Sequence, residues 1–238
     1  MALLFLGLVF SFALGLIVIW LMKQLELGLT VDQERFCNFV VSSISFQGAG
    51  LVLTHFFLRE HEVTWAEFLG LKGPNLRRAL SLAVVVIVVS LPVILWFNEF
   101  MRDLITRLDR APETQPTLQV LEISVSLGQR ICFGFTAIVV APVVEEILFR
   151  GILYRTVRDH GFPKLALFGS ALLFGVIHGS LMTLLPLAAL AIILALLYDR
   201  AGNLMAPIFA HALFNAVNFF GYLYRDQLTE WWKWWKQF

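Results

Sequence analysis

Residues 165–198 run for 34 positions without an Asp, Glu, Lys or Arg. As helix they would extend roughly 51 Å, more than one crossing of a hydrocarbon core about 30 Å thick and less than two. A run of that length reads as two helices turning back on each other within a membrane. Residues 1–22 likewise precede the first charge, Lys23. They outrun the roughly 7 to 15 residues of a signal-peptide core and lack its basic start, so they read as a retained transmembrane helix. Further apolar stretches cover 36–58, 79–97, 118–144 and 201–224. The expectation is an all-α, polytopic transmembrane bundle of about seven to eight helices, joined by short charged linkers that leave no room for a soluble domain.

Composition closes off the other classes. Hydrophobic residues make up 59% of the chain and charged residues only 15%, against roughly 25% charged in soluble domains. The net charge of +1, with no basic block, excludes a nucleic-acid partner. Cys37 and Cys132 lie in separate apolar segments without metal-like or redox spacing and read as packing residues. Lys and Arg divide almost evenly between alternate sides, so the positive-inside rule decides little. Lys72, Arg77 and Arg78, just before the third helix, lean towards a cytoplasmic N-terminus. At the other end Trp231, Trp232, Trp234 and Trp235 alternate with Lys233 and Lys236 and read as an interfacial anchor.

The exceptions to the apolar pattern carry the chemistry. Only 14 uncharged residues separate Arg130 from Glu145, about 21 Å of helix, so at least one flanking charge must sit below the interface. Arg130 can snorkel outward on its long stem, which leaves Glu145 and Glu146 at depth. Pro142, lacking an N–H, should loosen the helix just before them. Glu146 and Arg150 stand at the favourable i, i+4 spacing for an ion pair, whereas Glu145 is turned about 100° away. One acid is then tied down and its neighbour left free.

His178, followed by Gly179 and Ser180, falls near the turn of the tight helix pair, with Phe174 one turn earlier on the same face and able to pack beneath the imidazole. His211 lies near the middle of 201–224 and shares a face with Asn215. Unpaired polar groups at such depth cost on the order of 2 to 7 kcal/mol each, so these must face partners inside the bundle. His55, His61 and His160 lie at segment ends or in loops and read as incidental. Gly7, Ser11 and Gly15 form one small-residue stripe, and Gly175 with Gly179 another, where helices could approach closely. A carboxylate, two imidazoles and an amide, drawn from three segments, suit hydrolysis of an amide bond: a base for water, a group to orient it, and donors for the oxyanion. No P-loop, GxGxxG, HExxH or Ser/His/Asp arrangement competes.

At these positions the chain resembles the CPBP family of intramembrane proteases, which includes the CAAX prenyl endopeptidase and bacterial abortive-infection and bacteriocin-immunity proteins. The ordered motifs are EExxxR (Glu145, Glu146, Arg150), FxxxH (Phe174, His178) and HxxxN (His211, Asn215). The resemblance covers about residues 129–220; 65–80 also looks like a linker many bacterial members carry. It implies that Glu145 is the general base, that His178 positions or polarises the water, and that His211 and Asn215 form the oxyanion site. Glu146 and Arg150 would hold the local structure or help bind substrate. Members have been called metalloproteases. The expectation here is a metal-free glutamate mechanism with no cofactor; were zinc present, Glu145, His178 and His211 would hold it, although Asn is a poor zinc ligand and HExxH is lacking.

The expected division is 1–118 for N-terminal helices and linkers, 119–224 for the catalytic bundle, and 225–238 for the Trp/Lys-rich tail. The expected activity is endopeptidase cleavage near the C-terminus of a membrane-associated or prenylated protein or peptide, in the bacterial plasma membrane. A non-proteolytic bacteriocin-immunity or scaffold protein of the same family is the alternative. A proton-coupled carrier is a more distant one, since buried Glu, Arg and His also build relays but no repeats are evident.

Overall fold

The computed structural model describes residues 2–71, 76–109, 116–123 and 126–235. Among these there are ten helices and no strand. They are α1 (Ala2–Gln24), α2 (Val31–Glu60), α3 (Trp65–Phe68), α4 (Leu76–Arg107), α5 (Pro116–Ile123), α6 (Leu127–Asp159), α7 (Pro163–Ile177), α8 (Leu181–Ala201), α9 (Met205–Leu223) and α10 (Arg225–Trp235). Helices α1, α2, α4, α6 and α8 are long and apolar enough to cross a membrane, and α7 is a shorter apolar helix. The chain is an all-α integral membrane protein.

Local chemistry starts and stops these helices where the linkers are polar. Thr30 with Gln33, Thr64 with Glu67 and Ser126 with Gln129 form reciprocal capping boxes at the N-termini of α2, α3 and α6; each satisfies two backbone donors that a first turn leaves open. Gly202 ends α8 with φ +58°, a left-handed conformation that costs a residue without a Cβ little.

The segment expected at 118–144 is divided otherwise. Residues 116–123 form the separate α5, and the Ser126 cap begins α6, which continues through Glu145 and Glu146 to Asp159. The charges do not stop the helix because they are paired inside the bundle. Nor does Pro142 break it. A π-helical turn, Thr136–Val140, precedes the proline, and the helix resumes at Ala141. At 33 residues α6 is about 50 Å long, longer than a hydrocarbon core about 30 Å thick, and puts Glu145 about 27 Å from its start, near the middle of the helix.

Helix α4 buries a stripe of Ala79, Ala83, Ile87, Ser90 and Ile94, spaced three and four apart so that they share one face. That face packs against α8 and α9. Leu190, Ala191 and Leu194 of α8 join Val144, Ile147 and Leu148 of α6 in the same core. The small-residue reading holds at two places but not at Gly179, where an added Cβ would meet nothing within 4 Å. On α1, Ser11 Oγ donates to Ser45 O (2.8 Å), and a Cβ on Gly15 would meet the Ser45 side chain. A Cβ on Gly175 would come within 2.7 Å of Leu184 O, so this glycine sets the closeness of α7 to α8. Lys72, used for orientation, lies outside the described residues, as do Lys236 and the side chains of Trp232, Trp234 and Trp235. Trp231 is exposed at 57%.

Candidate active site

Helix α6 supplies the centre of the site. Glu146 and Arg150 are almost wholly buried, at 0% and 2% exposure, and Arg150 Nη1 donates to Glu146 Oε1 at 2.6 Å. Burying two charges is costly unless each finds further partners. Arg150 does so: Nη2 donates to Ala191 O on α8 at 3.0 Å, and the guanidinium lies 5.0 Å from the centre of the Phe174 ring. Glu146 has His211 Nδ1 on the same Oε1, at 2.8 Å. That contact assigns the Nδ1 hydrogen as the donor, since the partner is a carboxylate. It also turns the other ring nitrogen, Nε2, towards Glu145 Oε2, 3.8 Å away.

The i, i+4 pair expected from spacing is therefore present, and Glu145 is indeed the neighbour that is not paired to Arg150. Its side chain is 13% exposed, the more accessible of the two acids. The 3.8 Å separation between Glu145 and His211 exceeds a direct hydrogen bond. One water can span such a gap, touching both atoms.

Phe174 is the hub that gathers the remaining groups. Fully buried at 0%, its ring stands 4.8 Å from His178, 5.7 Å from His211 and 5.1 Å from Phe149, centre to centre. Its carbonyl accepts from His178 Nδ1 at 2.6 Å. His178 caps α7, and the φ of +66° at Gly179 turns the chain into α8. With Nδ1 engaged, the half-buried His178 presents Nε2 as its free ring nitrogen. Ser180, at the start of α8, has a buried hydroxyl without a hydrogen-bond partner among the described residues.

Asn215 has a partner that residue types alone do not suggest. Its Nδ2 donates to Ala137 O at 2.8 Å. In the π turn Ala141 N–H bonds Thr136 O, five residues back, and the next step of that ladder pairs Ala137 O with Pro142. Proline has no N–H, so Ala137 O would be orphaned inside the membrane. Asn215 supplies the missing donor and ties α9 to α6 about two turns before Glu145, with its second amide hydrogen left for other use. The sequence marked Pro142 only as a place where the helix loosens; nothing in it pointed to the carbonyls of Ala137 and Ala191 as partners.

Of the histidines read as incidental, His61 and His160 each bond the carbonyl four residues earlier on their own helix, and His55 accepts from Trp65 Nε1 at 3.2 Å. Cys37 and Cys132 are free thiols. Among the described residues no three His, Cys, Asp or Glu side chains are grouped as a metal set; His211 Nδ1 is engaged by Glu146 at 2.8 Å, and its Nε2 lies 3.8 Å from Glu145.

Residues 127–217 match the sequence model of the family described as type II CAAX prenyl endopeptidase Rce1-like. The "Putative membrane peptidase YdiL" of Bacillus subtilis is 30% identical over 103 residues, 43% of this chain and 41% of that protein. The alignment thus spans about two fifths of that relative's length. The UPF0177 protein YaiF of Lactococcus lactis is 27% identical over 164 residues, 66% of this chain and 74% of that protein. No solved structure matches significantly. The match to the Rce1-like family falls on α6 to α9, the helices that contribute Glu145, Glu146, Arg150, Phe174, His178, His211 and Asn215.

Proposed function

We propose that this chain is an intramembrane endopeptidase that uses a glutamate-activated water to cleave a peptide bond near the C-terminus of a membrane-associated or lipophilic protein or peptide. The observation that carries the reading is the placement of Glu145 midway along α6, beside an imidazole that a second, charge-paired glutamate holds in orientation. The family match on the same helices and the name of the Bacillus relative support a membrane protease. Both named relatives are bacterial, which supports a place in a bacterial plasma membrane.

In this mechanism Glu145 removes a proton from water, and the hydroxide so formed attacks the scissile carbonyl. His178, through its free Nε2, helps hold the water in line. His211 donates Nδ1–H to Glu146; with a proton on Nε2 as well it would donate that hydrogen to the oxyanion, beside the second amide hydrogen of Asn215. The proton on Glu145 then passes to the leaving nitrogen, which restores the carboxylate. Glu146 and Arg150 act through His211 as positioning groups. No metal or cofactor takes part, and 119–224 forms the catalytic bundle. The substrate class includes prenylated CAAX-like tails and C-terminal sorting tags.

The test compares protein C-termini by mass spectrometry in native membranes, between cells carrying the wild-type chain and cells carrying Glu145→Gln at equal abundance. A small set of membrane-proximal C-termini that lengthen in the variant is expected. An unchanged set, with substrate expression verified, refutes proteolysis and favours the immunity or scaffold reading.

A further inference from the structure

At the end of the bundle where α4 begins and α8 ends, a cavity of about 500 Å³ opens between the two helices. Its polar lining is Arg78, Ser81 and Arg200, and its apolar wall is Leu82 and Val85. Both arginines are exposed, and neither has an acidic partner among the described residues. The nearest acid in sequence, Asp199, is already engaged: Tyr154 Oη donates to it at 2.5 Å, and Arg158 pairs with its other oxygen. Two unpaired cations facing one groove repel each other unless an anion lies between them. The N-terminal end of α4, where the helix dipole places a partial positive charge, adds to the same preference.

The surface below the arginines decides what kind of anion fits. Val85, Val88 and Val89 of α4 are 57–69% exposed, and Leu196 of α8, one turn before Arg200, is 48% exposed. This strip runs along membrane-crossing helices, so in the bilayer it meets acyl chains. A free inorganic anion would use only the cationic mouth, whereas a phospholipid would use both parts. We propose that the cavity is a binding site for an anionic phospholipid, with the headgroup phosphate between Arg78 and Arg200 and an acyl chain along Val85, Val89 and Leu196. The site lies outside the Glu145 cluster and does not depend on the peptidase reading.

The experiment titrates the full chain, purified in neutral detergent, with phosphatidylglycerol or phosphatidylcholine of identical chains, reading bound lipid by native mass spectrometry and thermal midpoint in parallel. Phosphatidylglycerol should bind more tightly and raise the midpoint, and millimolar inorganic phosphate should not displace it. With each basic side chain near a lipid surface contributing about 1 kcal/mol, the Arg78→Gln/Arg200→Gln double variant should bind phosphatidylglycerol about 30-fold more weakly. Ser81→Trp, which keeps both charges and fills the groove, should lose the same lipid. Arg59→Gln, a cation at the same end on α2, should bind like wild type. Retention by the double variant, an equal loss in Arg59→Gln, or displacement by inorganic phosphate would each overturn the proposal.

Discussion

Replacing Arg150 with Met tests the energetics of the buried network directly. The substitution keeps an unbranched apolar stem but strands Glu146, which is fully buried and has one carboxylate oxygen, Oε2, already without a hydrogen-bond partner among the described residues. Removing one member of a buried ion pair costs about 3–5 kcal/mol, because the remaining charge is left uncompensated. The contacts to Ala191 O and the Phe174 ring are lost as well, each a smaller and overlapping contribution. A loss of about 4 kcal/mol follows, a large fraction of a typical 5–15 kcal/mol total. For a chain of this length it corresponds to a fall of roughly 8–16 °C in thermal midpoint. The assay is thermal unfolding in detergent of Arg150→Met, Glu146→Gln and the double variant. Glu146→Gln removes the charge yet leaves Oε1 to accept from His211, so the double variant should recover about 2 kcal/mol relative to Arg150→Met alone. A single variant that loses less than about 1 kcal/mol, or a double variant no more stable than Arg150→Met, would refute this account.

Other outcomes follow from individual contacts. Asn215→Ala strands Ala137 O and should lower stability by about 1–3 kcal/mol; the same change made in a Pro142→Ala background, where residue 142 regains an N–H, should cost clearly less, and simple additivity in chemical denaturation would sink that role. His211→Ala should slow cleavage by roughly 10² to 10³, with the loss in kcat rather than KM, as expected for removing one oxyanion donor; a pure KM effect in a peptide cleavage assay would contradict the assignment. Gly175→Ala should destabilise by about 1–3 kcal/mol, because the added methyl meets the Leu184 carbonyl and pushes α8 away from α7. An unchanged thermal midpoint would show that the two helices separate freely.

The sequence by itself determined that this chain lives in a membrane, and it singled out the groups that do not belong there. Long runs without charge permit no other solvent, and the i, i+4 spacing of Glu146 with Arg150 and of Phe174 with His178 is enough to predict both contacts, since helical neighbours are set by local geometry alone. Spacing could not reveal that His211 lies on Glu146, 65 positions away, or that Asn215 serves the Ala137 carbonyl across 78. Those pairings depend on how α9 is set against α6. The π turn before Pro142 was equally out of reach, because its cost is met only when a distant amide completes the carbonyl it frees. Which polar groups become partners is therefore a tertiary decision: in a medium without water every buried donor and acceptor must find its complement within the bundle, and only the packed helices fix which one is near.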